Sequence, residues 1–229
     1  MLLKRLSDAE RDGDRIYCVI REVMTNHDGK VNKSAYVVPA TYGQTQLLSR
    51  IYNASKTDPK SVFYVECHGT GTQIGDPVEA NTIGKYFGRS SQDSPLLIGS
   101  TKSVLGHTEG ASGVTALIKT ALCLYKRWIT PNMHFNHINP QIKIDEYNLH
   151  VVLNMTSLPS SRDNPIIIGI NSFGMGGNNC HAIIYDYHMT TNRTALLNGS
   201  GTEENHDLMK NPGALNVDQR FVFTLTGES

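Results

Sequence analysis

Paired cysteines, a net charge and long hydrophobic runs are all missing from this chain of 229 residues. Each absence removes a class of function. The four cysteines, Cys18, Cys67, Cys123 and Cys180, stand far apart and form no CxxC pair. That spacing does not suit a zinc site, and the expectation is free, buried thiols in a reducing compartment and no bound metal. Lys plus Arg number 21 and so do Asp plus Glu. With no basic stripe or acidic tail, nucleic acid and anionic membrane are excluded as main partners, although a small basic patch for a charged carrier is not. No apolar run nears the roughly 20 residues that cross a bilayer. The start, Met1-Leu-Leu-Lys-Arg-Leu-Ser-Asp, has neither the apolar core nor the cleavage site of a signal peptide, so a cytoplasmic protein is expected.

What is present is an alternation of two periods. Residues 14–25, 62–66, 95–98, 149–153, 165–170 and 181–187 are rich in β-branched or aromatic residues and read as strands. Residues 44–56 repeat Leu47, Leu48, Ile51 and Tyr52 at helical spacing. A second helix opens at Asp76-Pro77, with Asp76 as N-cap, and runs through Phe87 to Gly88. The third and clearest helix, residues 109–128, places Val114, Leu117, Ile118, Ala121, Leu122 and Tyr125 on one face, and its small-residue start allows close approach to another backbone. Strands alternating with helices predict an α/β layered fold. The final hairpin, 166–170 against 182–185, makes the sheet a mixed one. Residues 189–219 are polar and read as a linker, and residues 221–226 read as a strand opening a further module.

Three turns carry the candidate chemistry. His68 follows the strand-like run 62–66 and precedes Gly69-Thr-Gly-Thr72, where glycines let backbone approach a ligand and hydroxyls can donate. A phosphate cradle is a weaker alternative, because the ending of a P-loop is absent. His107 follows the second strand, five residues after Lys102. A buried Lys102 would hold that imidazole neutral, with Glu79 as its natural charge partner. The plain alternatives are a solvated loop lysine and a first-turn acid that suits the helix dipole. The third turn, Gly174-Met-Gly-Gly177, is explained either by hairpin geometry or by free N–H groups offered to an oxyanion.

Together the segments Glu66-Cys-His-Gly-Thr-Gly-Thr-Gln-Ile-Gly-Asp-Pro-Val-Glu79, Gly99-Ser-Thr-Lys-Ser-Val-Leu-Gly-His-Thr-Glu-Gly-Ala-Ser-Gly113 and Asn171-Ser-Phe-Gly-Met-Gly-Gly-Asn-Asn-Cys-His-Ala182 resemble the β-ketoacyl synthase (ketosynthase) family. The likeness is to the ketosynthase domain of type I polyketide synthases and animal-type fatty acid synthases. It covers about residues 2–187.

The resemblance implies a thiolase-like fold, of which this is the C-terminal part, and a homodimer in the full-length protein. It implies decarboxylative condensation of an acyl thioester with malonyl on an acyl carrier protein. No cofactor is expected to bind directly; the carrier's phosphopantetheine arm brings the substrate. His68 and His107 would donate hydrogen bonds to the malonyl thioester carbonyl, Lys102 would support His107, and Glu79 would be its acidic partner. Thr70 and Thr72 would contact the pantetheine arm. Met175, where many members have Phe, would supply an oxyanion N–H and a soft gate, with Phe173, Gly174 and Gly176 beside the substrate.

One departure stands out. The family's cysteine nucleophile lies upstream of the first histidine, in a stretch like Thr-Ala-Cys-Ser-Ser, and nothing like it occurs here. Cys67 and Cys180 take small-residue positions and read as packing. The expected organisation is therefore a ketosynthase part at residues 1–187, a linker at 188–219 and, at 220–229, the start of the region leading to an acyltransferase domain. The nucleophile would come from elsewhere in a longer protein, and this segment alone would be inactive. The alternatives are a non-catalytic remnant without the nucleophile and, more weakly, malonyl decarboxylation only.

Overall fold

The computed structural model describes residues 1–29, 39–160 and 164–187, and the backbone of 221–224. Its elements in chain order are β1 (Leu2–Arg5), α1 (Leu6–Asp12), β2 (Cys18–His27), α2 (Thr41–Ser55), β3 (Val62–Glu66), α3 (Gly75–Phe87), β4 (Leu96–Gly99), α4 (Lys102–Leu105), α5 (Ser112–Lys126), β5 (Trp128–Ile129), β6 (Leu149–Val151), β7 (Thr156–Ser157), β8 (Ile167–Gly174), β9 (Asn178–Tyr185) and β10 (Phe221–Thr224). Eight strands form one sheet in the order β1-β10-β2-β9-β8-β3-β4-β6, and β5 pairs β7 separately.

The sheet has two characters. From β1 to β8 every pair is antiparallel, whereas β8, β3, β4 and β6 run parallel. The C-terminal ends of β3, β4 and β8 therefore share one edge, and the His68 turn, the Lys102 turn and the glycine hairpin all leave from it. Carboxyl edges of this kind are where open α/β sheets place ligands.

Helices cover both faces. On one, Leu48, Ile51 and Tyr52 of α2 and Ala80, Ile83 and Phe87 of α3 pack on Val65, Leu96, Ile98 and Ile183. On the other, Ala116, Ala121, Cys123 and Leu124 of α5 pack on Tyr64, Ile168, Ile170 and Ile184. Ile168 and Ile170 lie two apart on one strand and so share the α5 face. Burying each such aliphatic side chain contributes about 1.5–3 kcal/mol. The small start of α5 approaches β8 as expected: a Cβ on Gly113 would stand 3.1 Å from the Ser172 Oγ.

Several boundaries differ from the local reading. Strand β2 runs on through His27 because Asn26 and His27 have cross-strand partners in Asn179 and Asn178. Strands β8 and β9 likewise extend each other toward a short turn at Met175–Gly177. Asp76 is not an N-cap. Ile74 holds that position without a side-chain bond, and the Asp76 carboxylate, inside the first turn, accepts instead from the Gly71 N–H at 3.0 Å. The helix expected over 109–128 splits into a 3₁₀ turn at Glu109–Ala111 and α5, which ends where Arg127 turns left-handed at φ 64°. Finally, Phe221–Thr224, read from sequence as the strand opening a further module, lies in the main sheet. It inserts between β1 and β2, pairing Leu2 with Thr224 and Ile20 with Phe221. The linker expected at 188–219 lies outside the described residues.

Candidate active site

Strand β3 delivers the first histidine. Its last residue, Glu66, is followed by Cys67, whose N–H bonds to the Gly99 carbonyl at 2.8 Å and so continues the pairing with β4 by one step. The chain then turns at His68. Gly69 has φ +48°, and a Cβ there would lie 2.7 Å from the Ser100 Cβ, so the turns after β3 and β4 touch in a way only glycine permits. The turn is closed by α3. The buried Glu79 carboxylate accepts from the His68 N–H at 2.7 Å, the Gly69 N–H at 2.9 Å and the Asn171 Nδ2 at 2.9 Å.

The two imidazoles meet edge to face, with ring centroids 5.2 Å apart. His68 also lies 5.8 Å from the Phe173 ring. His68 is pushed down to about 3 by burial first, then by the nearby Lys102 and His107 charges, so at neutral pH it is the uncharged imidazole. Its Nδ1 is buried and has no partner among the described residues. His107 is exposed, and its Nδ1 accepts from the Glu109 N–H at 3.2 Å. The neutral form of His107 then carries its proton on Nε2, ready to donate.

Lys102 opens α4, half-buried, and burial lowers its pKa against the raising effect of Glu79 and Glu66. The expected ion pair with Glu79 is not made: among the described residues no carboxylate oxygen comes within 4 Å of the Lys102 Nζ. Glu79 is occupied by N–H donors, and its charge reaches Lys102 only through space. Lys102, His107, Thr70 and Thr72 line a cavity of 790 Å³ together with Asn132, Met133, His134 and Phe135. Thr72 also uses its Oγ1 inside the turn, accepting from the Gly75 N–H at 3.1 Å. Met175 is 83% exposed at the hairpin tip, where Gly176 and Gly177 have positive φ. Gly174 and Gly176 flank it at the same tip and are not among the residues that line the cavity.

The thiols behave as the spacing suggested. Cys18, Cys67 and Cys123 are buried and Cys180 half-buried, all unpaired. Burial raises every one of them, Cys18 to about 12. A thiol so raised is protonated at neutral pH and is a poor nucleophile.

Sequence reading missed a second buried carboxylate. Glu66 accepts from the Lys119 Nζ at 2.5 Å, the Tyr64 hydroxyl at 2.7 Å and the Thr101 N–H at 2.6 Å, and so holds the residue next to Lys102. The signal available was a charge at the end of the otherwise apolar run Val62-Phe-Tyr-Val-Glu66. Also missed were His181, buried and pushed down to about 3 by burial, and its partner Tyr52.

Residues 17–136 match the model of the β-ketoacyl synthase C-terminal domain, and residues 139–209 that of the ketoacyl-synthetase C-terminal extension. This chain belongs to the β-ketoacyl synthase family. It is 42% identical over 184 residues to probable polyketide synthase 17 of Dictyostelium discoideum, covering 80% of this chain and 7% of that protein. It is 45% identical over 186 residues to the hybrid PKS-NRPS synthetase pynA of Aspergillus niger, covering 81% and 5%. The solved ketosynthase twelve of the bacillaene polyketide synthase from Bacillus amyloliquefaciens superposes with a TM-score of 0.75 at 34% identity, over 80% of this chain and 32% of that one. The chain thus spans a small part of its curated relatives and about a third of a solved ketosynthase. Its fold is the thiolase-like α/β fold, with a mixed sheet between helices. No helix among the described residues is long and apolar enough to cross a membrane.

Proposed function

We propose that this ketosynthase chain carries the decarboxylating side of a condensing site in polyketide synthesis. The observation that carries the reading is the pair of imidazoles 5.2 Å apart, one of them held neutral, beside a cavity lined by Thr70, Thr72 and Lys102. Malonyl arrives on the phosphopantetheine arm of an acyl carrier protein, with the arm along the two threonines. The bond between the malonyl α-carbon and its carboxylate breaks, carbon dioxide leaves, and the electron pair moves onto the thioester oxygen. His68 and His107 donate to that oxygen. A neutral His68 is needed because the donor must be aimed without a proton being lost or gained during the step. The resulting enolate carbon attacks the acyl thioester on a cysteine. A carbon–carbon bond forms, the carbon–sulfur bond breaks, and the released thiolate takes up a proton. The Met175 N–H would receive the acyl oxygen during that attack, with Phe173, Gly174 and Gly176 shaping the acyl side. The four thiols here are raised and largely buried, so the nucleophile belongs to sequence outside this segment, and the segment alone would not condense. The working enzyme would be a homodimer in the cytoplasm, which the unpaired thiols suit.

The test uses the intact synthase that contains this chain. His68→Ala or His107→Ala should each slow malonyl decarboxylation by about 10²–10³-fold, as loss of a single oxyanion donor does elsewhere, while the cysteine still becomes acylated. Unchanged decarboxylation in the double substitution would sink the reading.

A further inference from the structure

Behind the His68 turn runs a line of buried polar groups that the condensing chemistry does not itself use. Tyr52 on α2 stands 3.2 Å from the His181 Nε2 on β9. The His181 Nδ1 stands 2.6 Å from the Asn171 Oδ1 on β8. The Asn171 Nδ2 donates to the Glu79 Oε1 on α3, and Glu79 accepts the His68 and Gly69 N–H groups.

The direction of each bond follows from chemistry. An amide oxygen can only accept, so His181 carries its proton on Nδ1. Its Nε2 must then accept, and Tyr52, whose ionisation burial raises well out of range, donates its O–H. The two oxygens of Glu79 together meet three N–H donors, an arrangement that suits the carboxylate even though burial alone pushes its pKa up. Every group is satisfied in one direction only, which fixes the rotamer and tautomer of each.

The backbone makes room for this line. A Cβ on Gly169 would come within 2.9 Å of the His181 Cε1 and 3.2 Å of the Tyr52 hydroxyl. A side chain there would push both rings aside, whereas the neighbouring positions on β8, Ile168 and Ile170, carry large side chains toward the other face.

We infer that Asn171, His181 and Tyr52 are positioning residues, which hold the Glu79 carboxylate and, through it, the backbone that aims the His68 imidazole. The inference rests on the condensing reading for the reaction it serves, but its geometry does not.

The experiment compares Asn171→Ala, Asn171→Asp and Tyr52→Phe in the intact synthase. Asn171→Ala should lower kcat for malonyl decarboxylation by about 10–100-fold with KM within about twofold, the signature of an interaction that matters in the transition state. Amide exchange at residues 68 and 69 should quicken by about tenfold or more while strand β3 stays protected, since only the local opening changes. Asn171→Asp sets two carboxyls against each other, so one proton is shared between them. The introduced carboxyl, when protonated, can replace the lost donor; when ionised, it repels Glu79. The rate of that variant relative to wild type should therefore fall by about fivefold or more between about pH 6 and pH 8, a limb that plain loss of stability would not create. Tyr52→Phe keeps the ring, adds no titrating group, and should show the kcat and exchange changes of Asn171→Ala at about two- to fivefold. Unaltered exchange at 68 and 69 in Asn171→Ala would overturn the inference, as would exchange that rises equally in β3. If the wild-type synthase does not decarboxylate malonyl, the condensing reading fails, and the exchange result alone decides the relay.

Discussion

The two histidine turns leave the same sheet edge, and each is anchored by a buried carboxylate, yet the anchors differ in kind. Glu79 holds the His68 turn with neutral donors alone: two backbone N–H groups and one side-chain amide. Glu66 holds the Thr101–Lys102 turn with a cation, the Lys119 Nζ, together with a hydroxyl and one backbone N–H. His68 is half-buried against Phe173, whereas His107 is exposed, in a stretch where Val104 and Leu105 are 62% and 61% exposed. The difference shows two ways to bury a negative charge beside the candidate site. A cradle of N–H groups is rigid, because most of its donors are backbone. An ion pair is stronger in gross terms, but each partner depends on the other being there.

The largest effect is expected from Glu66→Leu. It strands Lys119 in a nearly buried position and should cost about 3–5 kcal/mol in denaturant unfolding of the intact ketosynthase. Adding Lys119→Met should return most of that loss, because a buried pair can be exchanged for apolar groups of similar size. A double variant no more stable than the single one would refute the ion-pair account. Glu79 has no equivalent rescue, since backbone donors cannot be substituted away. Glu79→Gln replaces one accepting oxygen with an NH2 donor that faces an existing N–H donor and should cost about 1–3 kcal/mol, with slower decarboxylation at constant KM.

Acid should separate the two regions further. His181 has a folded value of about 3 and lies behind the Glu79 cradle. Between that value and its ordinary 6.5 the unfolded chain binds more protons, so its contribution is complete above 6.5 and is lost as pH falls toward 3. One unit below the ordinary value the loss should be about 1 kcal/mol, and His181→Leu should flatten the slope. An unchanged pH slope in that variant would show that another group titrates instead. The smallest effect belongs to the hairpin tip: Met175 is 83% exposed, and Met175→Phe should change unfolding stability by no more than about 0.5 kcal/mol.

Much of the architecture was legible because it rests on local periodicity. The strands β3 and β4, the helices α2 and α5, and the Gly88 stop of α3 all follow from spacing that each segment carries within itself. The three motifs also pointed to His68, His107 and the glycine hairpin, and the sheet edge does gather the turns that bear them. The misreadings share a cause. Asp76 looks like an N-cap until the Gly71 N–H, five residues earlier, takes its carboxylate. Glu79 looks like the partner of Lys102 until the backbone of the His68 turn claims it. Phe221–Thr224 looks like a new beginning until its edges pair with β1 and β2.

Sequence alone was enough to establish the α/β class and the family resemblance and to single out the two imidazoles as candidates, because these depend on residue type and short-range order. Folding alone decided how the charges are shared. Glu66 and Lys119 are separated by 53 positions and Glu79 and Asn171 by 92. No spacing rule links residues that far apart. They become partners only when parallel strands and the helices on the two faces bring each pair into a water-poor layer, where an unpaired charge is too costly to remain.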